Sequence, residues 1–292
     1  MKVLITGSNG QLGSEIKALA SEYTNFEFVY SDLPELDICK KNLLTQFVIE
    51  NNIKGIVNCA AYTAVDKAEK DGVLAELVNA KAVENLVAVA ENQHLKLIHI
   101  STDYVFDGTS HIPYSEKMPV SPLGVYGKTK RAGELQVIYS ASNSILIRTS
   151  WLYSIYGNNF VKTMLRLGAE RESLGVICDQ VGTPTYARDL AQACLEILSK
   201  SERLDTQGKV YHFSNEGAAS WYDFAKSIMI MGEVDCQVNP IESKDYPTPA
   251  ARPHYSVLNK SKIKADFGIQ IPYWGDSLCD CIDILKTEKF EE

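Results

Sequence analysis

Two short stretches carry the residues best suited to chemistry: Ser101-Thr102-Asp103-Tyr104-Val105-Phe106, and Val125-Tyr126-Gly127-Lys128-Thr129-Lys130. Tyr126 and Lys130 stand four positions apart, so on a helix the phenol and the ammonium share one face, with Glu134 one turn further on. A cation beside a phenol favours the phenolate. It is expected to lower the tyrosine pKa towards the operating pH, as a general acid for a carbonyl requires. Thr102 follows an apolar run, Lys96-Leu97-Ile98-His99-Ile100, so its hydroxyl is placed to reach the same carbonyl oxygen. Tyr-x-x-x-Lys recurs by chance in a chain with 15 tyrosines, and its weight comes from the elements that position it.

Those elements begin at the N-terminus. Residues 2–6 form an apolar, β-branched run that ends at Thr6-Gly7-Ser8-Asn9-Gly10-Gln11-Leu12-Gly13, after which Leu12, Ile16 and Leu19 recur at helical spacing. In a strand, glycine turn and helix of this kind, Gly7 allows the turn, Gly10 opens backbone N–H groups to a pyrophosphate, and Gly13 permits close helix packing. Phe26–Tyr30 reads as the second strand. Asp32 follows at the distance where an acid meets the adenosine ribose, which favours NADH, while Lys40 and Lys41 leave NADPH open. Asp37 either accepts a hydrogen bond from an adenine amino group or caps a helix beginning at Cys39.

Gly55–Cys59 reads as a strand, followed by the small-residue loop Ala60-Ala61-Tyr62-Thr63, against which a cofactor can lie. A helix is expected over Val73–Asn92, with Asn79 either on its polar surface or bracing the active-site backbone. Pro122 is expected in the first turn of the Tyr126 helix, which runs to about Tyr139. Ser144–Thr149, Leu174–Cys178 and Val210–Ser214 read as further strands, and Asn159–Glu170 and Ala187–Lys200 as helices. Strand–helix alternation with short connections predicts an α/β fold, a doubly wound Rossmann-type parallel sheet with a smaller C-terminal lobe. Ser201–Gln207 reads as a surface loop. Within the lobe, Arg252 in Pro249-Ala250-Ala251-Arg252-Pro253 is either a bidentate phosphate ligand or a surface arginine. Trp151 and Tyr153 either stack on a sugar or base or fill the seam between lobes.

Composition sets the remaining bounds. In 292 residues, 45% hydrophobic and 23% charged are ordinary globular values, and no apolar run is long enough to cross a bilayer. A net charge of -8 without a basic cluster speaks against a nucleic-acid partner. The N-terminal apolar stretch is too short for a signal peptide, and the seven cysteines fit reduced thiols without zinc-site spacing, so a cytoplasmic protein is expected.

Taken in order, the glycine loop, Asn58–Glu69, Ser101–Gly108, Pro122–Lys130, Arg148–Tyr153, Gly157–Phe160, Asp179–Thr185 and Pro249–Pro253 resemble the motifs of the extended short-chain dehydrogenase/reductases, and among them the dTDP-4-dehydrorhamnose reductases. The resemblance spans nearly the whole chain. It implies reduction of the 4-keto group of a dTDP-6-deoxyhexulose to dTDP-L-rhamnose by NADPH or NADH. Tyr126 would give the proton, Lys130 would hold the ribose and depress the phenol's pKa, and Thr102 would hydrogen-bond the carbonyl oxygen. Cofactor contacts fall on Gly7, Asn9, Gly10, Gln11, Leu12, Asp32, Asp37, Ile38, Ala60, Ala61, Tyr62 and Thr63, besides Tyr126 and Lys130. Val65, Asp66, Thr102, Asp103, Tyr104, Trp151 and Asn159 would border the nucleotide sugar, and Arg252 would meet its diphosphate. The implied division is a dinucleotide-binding core over 1–150, continued by parts of 174–215, and a nucleotide-sugar lobe mainly over 151–292.

Dehydratases of the superfamily carry Asp-Glu after the threonine, where this chain has Asp103-Tyr104, so reduction is favoured. Some relatives bridge a dimer through magnesium on two glutamates. Glu15 fits the first, but Arg188 stands at the second with Asp189 beside it, so no metal is expected, and a homodimer is left open. Two other readings are a non-catalytic subunit like the regulatory subunit of methionine adenosyltransferase, and a reductase that gives the talose epimer.

Overall fold

A computed structural model describes residues 1–200 and 207–288; most of the loop expected over 201–207 lies outside the described residues. The chain enters through β1 (Lys2–Thr6), α1 (Gln11–Leu19), β2 (Glu27–Ser31), α2 (Lys41–Glu50) and β3 (Gly55–Asn58). It continues through α3 (Val65–Ala68), α4 (Gly72–Glu76), a π-turn over Leu77–Lys81, α5 (Ala82–Asn92), β4 (Lys96–Thr102), α6 (Val125–Ile138) and β5 (Asn143–Thr149). With β10 (Lys209–His212) these strands form one parallel sheet, in the order β10-β5-β4-β3-β1-β2. The order reverses at β1, so a crevice opens at the C-terminal ends of β1 and β3, the place where open parallel sheets bind ligands.

The strands read as continuous apolar runs because helices cover both faces: Val3, Leu4, Ile5, Ile56, Val57, Leu146 and Ile147 have no exposed surface. Alternate side chains go to opposite layers. Ile5, Val57 and Ile147 pack under Ile16, Leu190 and Ile263, whereas Leu4, Ile56 and Leu146 pack under Leu44, Val83 and Val137.

Beyond β5 come β6 (Leu152–Tyr153), α7 (Phe160–Glu170), β7 (Ser173–Ile177), β8 (Val181–Gly182), β9 (Thr185–Tyr186), α8 (Ala187–Lys200) and β10 (Lys209–His212). Then follow β11 (Ala219–Ser220), α9 (Trp221–Gly232), β12 (Gln237–Ile241), α10 (Ser261–Phe267) and α11 (Trp274–Glu288). α8, β10 and α10 return to the main sheet and its first helical layer, while α7, α9 and α11 enclose a second core of Tyr153, Phe224, Ile228 and Leu278. Among the described residues no helix is long and apolar enough to cross a membrane.

The structure corrects three expectations. The strand expected at 174–178 forms as β7 but pairs with β12 outside the main sheet. Its alternation of exposed and buried residues suits a sheet with one wet face, unlike the fully covered strands of the centre. The single helix expected over Val73–Asn92 is interrupted by the π-turn, which holds Asn79 buried. Pro122 lies outside α6: the helix starts at Val125 because the Glu69 carboxylate, at the end of α3, accepts the Val125 N–H at 2.8 Å.

Candidate functional site

The glycine turn after β1 is built for close approach. Gly7 has φ +64°, and a Cβ on it would lie 2.6 Å from the Ala60 nitrogen; one on Gly13 would lie 2.5 Å from the Gly7 carbonyl oxygen. Asp32, at the end of β2, uses both carboxylate oxygens on backbone, accepting from Asn9 N at 3.1 Å and Leu33 N at 2.9 Å. Its charge therefore orders the glycine loop. Asp37 accepts from Cys39 N at 3.0 Å and pairs with Lys40 at 3.5 Å, but α2 begins only at Lys41, so the helix expected to start at Cys39 starts two residues later.

Of the residues assigned to cofactor or nucleotide sugar, all but Asn9, Asp66, Asn159 and Arg252 line a single cleft of about 880 Å³, whereas Tyr153 is fully buried in the second core and has no face on it. Asn79 braces its wall: the amide accepts from Tyr62 N at 2.9 Å and donates to Tyr62 O at 3.1 Å and to the Thr129 hydroxyl at 3.2 Å. The π-turn thus ties the Ala60–Thr63 loop to α6, and the bracing alternative for Asn79 is the one observed. Ser31 Oγ and Thr149 Oγ1 also face this cleft, buried and without hydrogen-bond partners among the described residues. A glycine turn, a small-residue wall and buried hydroxyls left for a ligand fit a dinucleotide.

Thr102 ends β4, and Tyr126 and Lys130 stand one turn apart on the first half of α6. The Lys130 ammonium donates to the Ile100 carbonyl at 2.7 Å. Burial lowers its pKa to about 8, against the pull of Glu134. The phenol of Tyr126, half-open to the cleft and edge-on to the Tyr104 ring at 5.6 Å, does not show the expected fall in pKa. Loss of water around its hydroxyl pushes it up to about 12, with the Thr102 hydroxyl opposing and the Asp103 charge adding. The Lys130 ammonium, turned to the Ile100 carbonyl, does not counter this desolvation.

Beneath these groups, polar residues replace the apolar core. Thr6 donates to Asn58 at 2.6 Å, and Asn58 is 2.8 Å from His99 Nδ1, in one row across β1, β3 and β4. Glu134 is fully buried and accepts from Arg148 at 2.7 and 2.8 Å, from Arg131 at 2.8 Å and from Ser101 at 2.8 Å. Burial raises its pKa, but the two guanidiniums and the hydroxyl more than reverse this, so it stays ionised. This bidentate pair clamps α6 to β5.

On the lobe side, Trp151 adopts φ +48° and stacks on Trp221 with centroids 3.6 Å apart, so it fills the seam and faces the cleft at once. Arg252 grips Asp66 at 2.7 and 3.0 Å, and Asp66 also accepts from Ala250 N at 3.2 Å. The surface alternative for Arg252 thus gives way to an ion pair at the cleft's rim. Asn159 caps α7 and donates to Gln11 at 3.1 Å, joining lobe to glycine loop. Glu15 is buried, accepts from Ser154 at 2.6 Å and faces Arg188 at 3.8 Å, and Asp189 accepts from Asn215 and Ser277, each at 2.6 Å. Burial raises the Glu15 pKa more than Ser154 and Arg188 lower it.

A family model described as the RmlD substrate binding domain matches residues 1–287. The chain belongs to this family. A curated dTDP-4-dehydrorhamnose reductase from Aggregatibacter actinomycetemcomitans is 42% identical over 286 residues, covering 95% of this chain and 97% of that protein. The crystal structure of a dTDP-4-dehydrorhamnose reductase from Clostridium acetobutylicum superposes with a TM-score of 0.92 at 41% identity, over 98% of this chain and all of that one. One from Bacillus anthracis, solved in complex with NADP, gives a TM-score of 0.91 at 37% identity, over 97% and 99% of the two chains.

Sequence reading missed Ser31, Thr149 and Trp221 on the cleft. The two hydroxyls lie at strand ends, where any small polar residue looks alike. Trp221 meets Trp151 only through the fold, with no local signal in either segment.

Proposed function

We propose that the chain is a reductase of the 4-keto group of dTDP-4-dehydro-L-rhamnose, yielding dTDP-L-rhamnose, with NADPH or NADH as reductant and Tyr126 as proton donor. The reading is carried by the placement of the Tyr126 phenol and the Thr102 hydroxyl on the same cleft as the glycine loop. A nicotinamide bound there supplies the hydride. The residues do the rest. Tyr126, pushed up to about 12, keeps its proton across the neutral range and so is in the form a donor needs. Thr102 directs its hydroxyl at the oxygen on which negative charge builds, and Lys130 stabilises the phenolate left by proton transfer. Arg252 holds a carboxylate through two parallel hydrogen bonds, a geometry that a phosphate oxygen pair matches, so the diphosphate takes the place of Asp66.

The test is nicotinamide absorbance when the purified protein meets dTDP-4-dehydro-L-rhamnose, with NADPH and NADH in separate cuvettes and the product identified by NMR. Oxidation giving dTDP-L-rhamnose is expected. A talose product would overturn the assigned stereochemistry. No oxidation by protein that binds either cofactor would favour a non-catalytic subunit.

A further inference from the structure

The Asp103 carboxyl group is buried and has no ion-pair partner among the described residues. It is 1% exposed and lines the cleft, and although the Ser256 hydroxyl lies beside it, no hydrogen bond of good geometry reaches its Oδ2 among the described residues. Its other oxygen is 3.1 Å from the Thr102 hydroxyl, which also accepts the Tyr104 N–H at 3.2 Å. A threonine hydroxyl has one hydrogen and two lone pairs, and Tyr104 occupies one lone pair. When Asp103 is ionised it can only accept, so it takes the single hydrogen of Thr102. When Asp103 is protonated it donates into the second lone pair, and the Thr102 hydrogen is released towards the cleft.

We propose that Asp103 is a positioning residue that sets the direction of the Thr102 hydroxyl: protonated, it turns that hydroxyl onto the reacting oxygen, and ionised, it withdraws it. This rests on the reading of the cleft as a reductase site. Burial supplies the means, pushing the Asp103 pKa up to about 6 against the hydroxyls of Ser256 and Thr102 and nearby backbone N–H groups. The ionisable groups around it are Tyr126 on α6 and Tyr104 on the following turn, whose phenols the Asp103 charge raises further; Arg252 and Asp66 lie beyond Tyr104. A sugar diphosphate in the cleft displaces water and adds negative charge, and both move the Asp103 ionisation higher in the complex.

The experiment is the pH dependence of kcat/KM for the keto sugar in the wild type, D103N, D103A, T102V and the double variant T102V/D103N. Wild-type kcat/KM falls about tenfold per pH unit above the Asp103 ionisation, ahead of the separate loss of Lys130 charge near 8. D103N, which carries no titrating charge and whose NH2 can donate to Thr102, loses the lower limb and at pH 7.5 exceeds the wild type; D103A, with no donor, shows reduced turnover at every pH. In the T102V background, D103N makes no further change to the profile. Infrared difference spectra of the ligand-free wild type show a protonated-carboxyl stretch that titrates with this limb and is missing in D103N. A D103N profile that superimposes on the wild type, or a shift of equal size without Thr102, overturns the proposal, as does a wild-type spectrum lacking the band. Failure of the wild type to reduce the keto sugar counts against the reductase reading instead, and the infrared titration then judges the Asp103 ionisation by itself: a missing band overturns it.

Discussion

Asp103 and Lys130 are held where their charged forms are disfavoured, a cost to folding that the site carries at neutral pH. The Asp103 pKa is raised in the folded state, so its contribution to stability is fully present below about pH 4 and is lost as pH rises through about 6. D103N is therefore expected to be more stable than the wild type at pH 7.5, by roughly 2 kcal/mol or several degrees in Tm. That advantage disappears by about pH 4. Thermal unfolding at the two pH values checks this, and a lower Tm for D103N at pH 7.5 would contradict it. The sequence identified Tyr126, Lys130 and Thr102 by type and spacing, but not their ionisation. Proximity of a cation suggested a lowered phenol pKa, whereas the loss of water around the hydroxyl raises it.

At the scale of elements, α6 is fixed from three sides: by Glu69 at its first N–H, by the π-turn through Asn79 and Thr129, and by Arg148 through Glu134. Gly133 is where it touches the π-turn, and a Cβ there would press into the Asn79 carbonyl oxygen. Alanine normally favours a helix over glycine by about 1 kcal/mol. Here G133A should instead lower Tm and displace Tyr126, cutting kcat more than the KM for NADPH; a higher Tm with unchanged kcat would show that the contact yields freely. Strand–helix alternation made the core strands and α1 legible, because a strand covered on both faces leaves an unbroken apolar run. The π-turn left no such trace, since one extra residue in a turn hardly disturbs an apolar stripe. The N-terminus of α6 was misplaced for a related reason: its cap comes from Glu69, 56 residues earlier in the chain.

Across the whole molecule, the lobe is tied to the core at the rim of the cleft by Asp66 with Arg252 and by Gln11 with Asn159. Long-range pairing of this sort was beyond the sequence, which offered Arg252 only as a phosphate ligand or a surface residue and placed β7 in the wrong sheet. Replacing the planar fork with a point charge tests the rim. R252K should raise the KM for the dTDP-sugar about tenfold or more while leaving the KM for NADPH within twofold. Equal changes in both constants would mean that Arg252 holds the lobe in place and does not meet the sugar diphosphate.

The most direct measurement is single-turnover reduction by Y126F, with NADPH binding followed in parallel by fluorescence. The variant should fold, bind NADPH like the wild type and lose about a hundredfold or more in the rate of hydride transfer, because only the proton donor is removed. Turnover near the wild-type rate would contradict the assignment of Tyr126 as the acid.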